Sequence, residues 1–194
     1  MPLWTDRGQG WVQCRDARAD NPSAAFLCCP GPSLAGVPDL RGPGRIVYAL
    51  NTAYPQVQPD VWMGLDRMGC FDARLWHEAF PKITRRFDDD NIRMRHCPNV
   101  HYADLEDASA EEIFIRRDNS SKFVWVKNSF VFALHFLIWS GHKTIHLVGC
   151  DMGGERDYYD DRKLTAEQRG NNRRLYDDLV RTLRRLAPIL TCQF

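Results

Sequence analysis

The seven cysteines of this 194-residue chain (Cys14, Cys28, Cys29, Cys70, Cys97, Cys150 and Cys192) include no C-x-x-C pair, which argues against a zinc site. Their number is odd, so a fully paired disulfide framework is excluded too, and a reduced, cytoplasmic compartment fits. No apolar run is long enough to cross a bilayer; the longest, Phe130 to Trp139, is interrupted by His135. Residues 1–20 lack the apolar core of a signal peptide. Charge of one sign is not in excess, because 26 Lys and Arg face 25 Asp and Glu, and a net +1 gives no overall pull toward nucleic acid. Repeats, low-complexity tracts and linkers are absent as well. What remains is an ordinary mixture, 44% hydrophobic and 26% charged, suited to one domain over residues 1–194 that buries about two-thirds of its unfolded surface. Within it, residues 1–22 read as an irregular lead-in and about 82–122 as a variable insert. Self-association is left open.

The strongest local signal lies near the start. Ala24 to Cys29 reads as a buried strand, Pro30-Gly31-Pro32 stops it, and Ser33 stands where a helix N-cap would sit. Ile46 to Leu50 is a second buried strand, stopped by Asn51-Thr52. Pro59-Asp60 opens a third, Val61 to Leu65, which ends on Asp66. The spacing of Phe71, Leu75, Ala79 and Phe80 predicts a helix over 71–80. Short strand-like pieces follow at 82–86, 100–103 and 113–116. Phe123 to Val126 is another strand, after which Asn128 or Ser129 caps a wholly apolar helix, 130–140, with Gly141 as its C-terminal cap. Thr144 to Gly149 is the next strand and runs into Cys150-Asp151. Thr165 to Gln168 has the pattern of a capping box, with Gly170 able to delay the helix start to Asn171; Leu175, Leu179, Leu183 and Leu186 line one face, Pro188 ends the helix, and 189–192 reads as a last strand.

Buried strands that alternate with helices, each strand ending in a polar residue, predict an α/β fold: a Rossmann-like, doubly wound, mostly parallel sheet with helices on both faces. Ligands of such sheets sit beyond the carboxyl ends of the strands. By that rule Gly31, Pro32, Ser33, Asn51, Thr52, Asp66, Asn128, Ser129 and Asp151 gather at one edge as candidate nucleotide-binding residues.

Gly31-Pro32-Ser33-Leu34 after a strand, Asn51 after the second, Pro59-Asp60 before a strand ending in Asp66, a helix started by Ser129, and Leu147-Val148-Gly149-Cys150-Asp151 together resemble the small bacterial sialyltransferases of glycosyltransferase family 42. They are also similar to the wider group that holds the archaeal-type 6-hydroxymethylpterin diphosphokinases and phage-encoded proteins of unassigned function. The resemblance covers about residues 24–160, and those relatives continue with a further polar loop past the point matching Phe194. It implies a glycosyltransferase-like protein that binds a nucleotide or nucleotide sugar, with cytidine as the base. Gly31, Pro32 and Ser33 would approach the nucleotide, Asn51 would hydrogen-bond it, and Ser129 would hold the nucleotide or the sugar carboxylate. Tyr158 and Tyr159 would serve as catalytic residues whose hydroxyls contact the leaving phosphate, where developing charge needs donors. The chain departs from the family pattern in two places. Pro30 stands where a nucleotide-contacting Asn belongs, and no histidine occurs in residues 160–194 to act as general base. A non-catalytic nucleotide-binding protein that has lost the base is therefore one alternative. A diphosphokinase acting on a pterin-like alcohol is another.

Of the six histidines, His135 and His146 read as structural, while His77, His96 and His101 are the ones that could reach the pocket from the variable middle. Asp88-Asp89-Asp90 fits an Asp-x-Asp cation motif and equally fits a solvated turn before Asn91. The resembling sialyltransferases are metal-independent, whereas a diphosphokinase would need magnesium, for which Asp66 or Asp151 is better placed. Arg173, Arg174, Arg181, Arg184 and Arg185 are interleaved with Asp177 and Asp178, the pattern of a solvated helix face rather than of a nucleic-acid surface.

Overall fold

Apolar residues two apart along short strands build both faces of a central sheet. The computed structural model describes residues 3–6, 11–13, 24–87, 93–109, 112, 122–126, 128–151 and 165–186. In chain order the strands are β1 (Leu3–Asp6), β2 (Trp11–Gln13), β3 (Ala24–Cys28), β4 (Arg45–Leu50), β5 (Val61–Met63), β6 (Lys82–Thr84), β7 (Val100–Ala103), β8 (Leu105–Asp107), β9 (Phe123–Trp125) and β10 (Thr144–Val148). The α-helices are α1 (Ser129–Trp139) and α2 (Ala166–Leu186). The sheet order is β10-β3-β4-β5-β6-β7-β1-β2, with every pair from β10 to β7 parallel and β1 and β2 antiparallel at the far edge. This is the expected mostly parallel α/β sheet, Rossmann-like in plan. A second, two-stranded parallel sheet pairs β8 with β9.

Side chains divide cleanly between the faces. Leu27, Tyr48, Leu50 and Met63 point into one core together with Phe123 and most of α1. Cys28, Val47, Ala49 and Trp62 point into the other, with Leu34, Leu75, Trp76 and Met94. A helix that is apolar all round belongs under cover, and α1 is buried along nearly its whole length, only Ile138 and Ser129 being half-exposed. Asn128 is its N-cap, its Oδ1 accepting from the Phe130 N–H at 2.8 Å, and Gly141, at φ +83°, closes its C-terminus. On the opposite face the described helical cover includes 3-10 turns at Pro32–Gly36, Asn51–Ala53 and Ala73–His77.

Several expectations need correcting. The lead-in carries the β1–β2 hairpin, and Leu3 is buried in the first core. The third strand ends at Met63 instead of Leu65. The helix expected over 71–80 is the short 3-10 turn Ala73–His77, capped by Asp72 and left in extended backbone at Glu78, three residues before Pro81. Residues 82–103, read as part of an insert, supply β6 and β7 of the main sheet. Gly170 does not delay α2: the Thr165 N–H donates to Gln168 Oε1 (2.9 Å) and the Gln168 N–H to Thr165 Oγ1 (3.2 Å), so the capping box forms and the helix starts at Ala166. No helix of the described residues is long and apolar enough to cross a membrane. The pieces expected at 113–116 and 189–192, the turn at Asp88 to Asn91 and Pro188 lie outside the described residues.

Candidate functional site

The strand order contains one reversal. From β3 the chain steps outward through β4, β5, β6 and β7, then returns to place β10 on the other side of β3. Connections diverge at the β3–β10 boundary, so the crevice beyond the carboxyl ends of these two strands is where this fold class receives ligands. The residues after β3 (Cys29 to Ser33) and after β10 (Gly149 to Asp151) form it.

These two loops are tightly interlocked. The Cys29 N–H donates to the Val148 carbonyl (2.7 Å) and the Gly31 N–H to the Gly149 carbonyl (2.8 Å). Gly149 adopts φ +66°, and a Cβ there would overlap the Cys29 carbonyl oxygen and lie 3.0 Å from Leu34 Cβ. A Cβ on Gly31 would meet the Gly149 carbonyl oxygen and, at 2.7 Å, Asp151 Oδ2. Glycine at both places is therefore a packing requirement of the crossover.

Ser33 does not cap the helix start. Gly31 holds that position, the helix is a single 3-10 stretch, and the exposed Ser33 instead donates its backbone N–H to Asp151 Oδ2 at 2.7 Å. Asp151 thus fills the place at this loop that a ligand phosphate would take. Of the nine sequence-named residues, Gly31, Ser33 and Asp151 are in contact; the others are placed by the elements they follow or start. Asn51 and Thr52 follow β4 directly, and Asp66 lies exposed three residues past β5. α1 leads through Gly141 to the amino end of β10, so its N-terminus, with half-buried Asn128 and Ser129, lies toward the carboxyl ends.

Asn51 is the most unusual of them. Its backbone adopts φ +51°, its carbonyl accepts from Trp62 Nε1 at 2.7 Å, and its side-chain Oδ1 is sealed from water with no hydrogen-bond partner among the described residues. A buried carbonyl oxygen without a donor costs about 1–3 kcal/mol, and Asn tolerates the left-handed backbone better than most residues.

A cationic group not singled out from the sequence lies two strands along. Arg85, just after β6, stacks its guanidinium over the Phe87 ring (4.2 Å) and the Trp125 ring (5.4 Å), and Arg67, past the end of β5, lies over the other reach of Phe87 at 5.5 Å. Arg85 Nε is buried with no acceptor among the described residues. The available signal was Arg85-Arg86-Phe87 immediately after a strand, cations and an aromatic at a carboxyl end. With strands about 4.8 Å apart, the stretch from β10 to β6 extends about 19 Å.

The histidines do not supply a base here. His135 is fully buried and its Nδ1 accepts from the Val124 N–H at 2.9 Å; His146 stacks on Phe26 across the β10–β3 pair at 4.6 Å, so both are structural as expected. His142 Nε2 is 2.8 Å from the Tyr48 hydroxyl. His77 and His96 lie on the segments entering the amino ends of β6 and β7, and His101 is the second residue of β7. The expectation that these three could reach the pocket therefore fails, since they belong to the wrong ends of the strands. Among the described residues no group of three or more His, Cys, Asp or Glu side chains gathers as a metal site. On α2, Arg173, Arg174, Asp177, Arg181 and Arg184 are exposed, the solvated face expected of them. Tyr158 and Tyr159, the candidate catalytic residues, lie outside the described residues.

No family model matches the chain, and neither does any curated protein or solved structure.

Proposed function

We propose that this is a cytoplasmic, glycosyltransferase-like protein that binds a nucleotide or nucleotide sugar, with cytidine as the base, along the carboxyl edge of its sheet. The observation that carries the reading is the strand-order reversal of a parallel sheet, with the Asn51 Oδ1 next to it left without a donor among the described residues. The N-terminus of α1 supports it, because among the described residues only the Phe130 N–H of its first turn is taken by the Asn128 cap, and the positive end of the helix dipole favours an anion. Gly31, Pro32 and Ser33 pack against the ligand rather than cradle its phosphate, since Asp151 already takes the Ser33 N–H. In this reading Ser129, Tyr158 and Tyr159 stabilise the departing nucleotide as its charge develops.

A second reading, a non-catalytic nucleotide-binding protein of the phage-encoded kind, is favoured by the absence of any histidine from the carboxyl edge among the described residues. Both readings require the same pocket. The test is calorimetric titration with CMP, CDP, UDP, GDP and ATP, each with and without magnesium, on the wild type, Asn51→Gly, and the double variant Ser129→Ala with Tyr158→Phe. Glycine keeps the left-handed backbone of Asn51 while deleting its amide. Metal-independent binding of CMP or CDP is expected, weakened tenfold or more in the double variant at nearly unchanged melting temperature, because each lost charge-assisted bond costs about 1.5–3 kcal/mol. Unchanged affinity in both variants refutes the site. Magnesium-dependent binding of ATP alone moves the assignment to a diphosphokinase, and binding and turnover of a cytidine nucleotide sugar separate the enzyme from the binding protein.

A further inference from the structure

A pair of thiols sits at the β3–β10 crossover. Cys29 Sγ and Cys150 Sγ are 3.1 Å apart, although the residues are separated by 121 positions in the chain. Strand geometry explains why they meet. Cys28 is the register partner of Val148, so Cys29 and Cys150 follow at the very ends of adjacent parallel strands. The alternation of side chains sends Cys29 into the same core that Cys150 packs against, while Cys28 points into the opposite one. The interlocked glycines described above hold the ends of β3 and β10 close enough for this contact.

We infer that Cys29 and Cys150 are an oxidisable dithiol, a modification site at which a hydroperoxide closes a disulfide across the crossover. The pairing stands on this geometry and does not depend on the nucleotide reading. Cys29 is buried, at 4% exposure, whereas Cys150 is half-buried and is the sulfur a small oxidant reaches first. The contact with Cys150 and burial push the Cys29 thiol well above its ordinary range, and burial pushes Cys28 up to about 12, so both stay protonated near neutral pH. Cys150, as thiolate, attacks one oxygen of hydrogen peroxide; the O–O bond breaks, the sulfur becomes a sulfenic acid, and the departing hydroxide leaves as water after taking a proton. The Cys29 sulfur then attacks the sulfenic sulfur; the S–O bond breaks, the S–S bond forms, and the Cys29 proton leaves with the second water. Two thiols are oxidised by two electrons and one peroxide is reduced to two waters. The sulfurs need to close by only about 1 Å to reach disulfide bonding distance. The bond would tie the loop of Gly31 to Ser33 to the loop of Asp151, making the contact between them covalent.

The test is to reduce the full-length protein, remove the reductant without air, add hydrogen peroxide in slight excess and map tryptic peptides by mass spectrometry without reduction. A species joining residues 19–41 to 144–156, lighter by two hydrogens than the two peptides together and cleaved by dithiothreitol, is expected. It should persist in Cys28→Ala, which leaves Cys29 in the same peptide, and disappear in Cys150→Ser. Cys70→Ser, at an exposed position, is the control and should not alter it. Circular dichroism confirms that each variant is folded; should Cys150→Ser fail to fold, fragmentation of the wild-type linked peptide identifies the bonded sulfurs instead. Loss of the link in a folded Cys28→Ala protein, or Cys150 recovered as sulfinic acid with Cys29 still free, overturns the inference.

Discussion

Replacing Gly149 by alanine tests whether close apposition of β3 and β10 is what holds the crossover together. Two terms oppose the methyl group. The residue has φ +66°, where an L side chain costs about 1–2 kcal/mol. Its Cβ would also overlap the Cys29 carbonyl oxygen and press on Leu34 Cβ at 3.0 Å. That carbonyl cannot simply turn away, because N–H groups on either side of it, Cys29 at 2.7 Å and Gly31 at 2.8 Å, are bonded to β10 and the residue after it. Overpacking of this kind costs about 1–3 kcal/mol, giving a total of about 2–5 kcal/mol. Gly141→Ala is the matched control, since φ is +83° but nothing lies within 4 Å of its added Cβ, and only the backbone cost of about 1–2 kcal/mol remains. At this chain length 1 kcal/mol shifts the melting temperature by about 2–4 °C. Gly149→Ala should therefore melt about 10 °C below the wild type and Gly141→Ala about 4 °C below, with parallel losses in urea midpoints. Equal losses in the two variants would show that Gly149 is there for its φ alone and would refute the packing argument.

Two further predictions concern pH. Lys82 is fully buried at the start of β6, its ammonium donating to the carbonyls of Glu78, Phe80 and Pro98, and burial lowers its pKa to about 8 from 10.5. The folded chain releases this proton before the unfolded chain does, so the residue's contribution to stability is least below pH 8 and rises, by about 3 kcal/mol at most, as pH climbs to 10.5. The unfolding free energy of wild type relative to Lys82→Met, from urea titrations at pH 7.5 and 10.5, should move in favour of the wild type, and no movement would refute the depressed pKa. Asp72 is held down to about 2 by the Arg74 side chain and backbone N–H, so its cap on the Ala73–His77 turn is fully present above about pH 4 and is lost as pH falls through 2. In Arg74→Ala the Asp72 carboxyl, followed by carbon-detected NMR, should titrate nearer the ordinary value of about 3.9; an unmoved midpoint would show that another group depresses it.

What could be read from the sequence was what local chemistry decides. β4, β7, β10 and α1 fall within a residue or two of their expected bounds because they are mostly apolar and bounded by turn residues, and Asn128, Gly141 and the Thr165–Gln168 box act over three or four residues. Elements fixed by distant partners were not readable. The β1–β2 hairpin is ordered by antiparallel pairing of Leu3 and Trp4 with Ala103 and Tyr102, about a hundred residues away. The 71–80 helix looked sound by spacing, but the chain must turn back into β6 at Lys82, and only Leu75 and Trp76 are buried from that stretch.

The site divides along the same line. That polar residues end the strands could be read locally. Which of their groups remain available to a ligand could not, because that depends on residues brought in from elsewhere. Ser33 looked like a free anion donor until Asp151, 118 positions on, is seen to occupy its N–H. Asn51 gains interest in the opposite way: Trp62 fixes its backbone, while nothing among the described residues answers its buried side-chain oxygen. Arg85 lies over Phe87, just past β6, and Trp125 of β9, and its Nε has no acceptor among the described residues. Among the described residues, donor capacity for an anion therefore shifts away from the β3 loop, where the chain satisfies itself, toward the α1 N-terminus and Arg85. A nucleotide bound as proposed would direct its phosphate to that side and its neutral, hydrogen-bonding part toward Asn51.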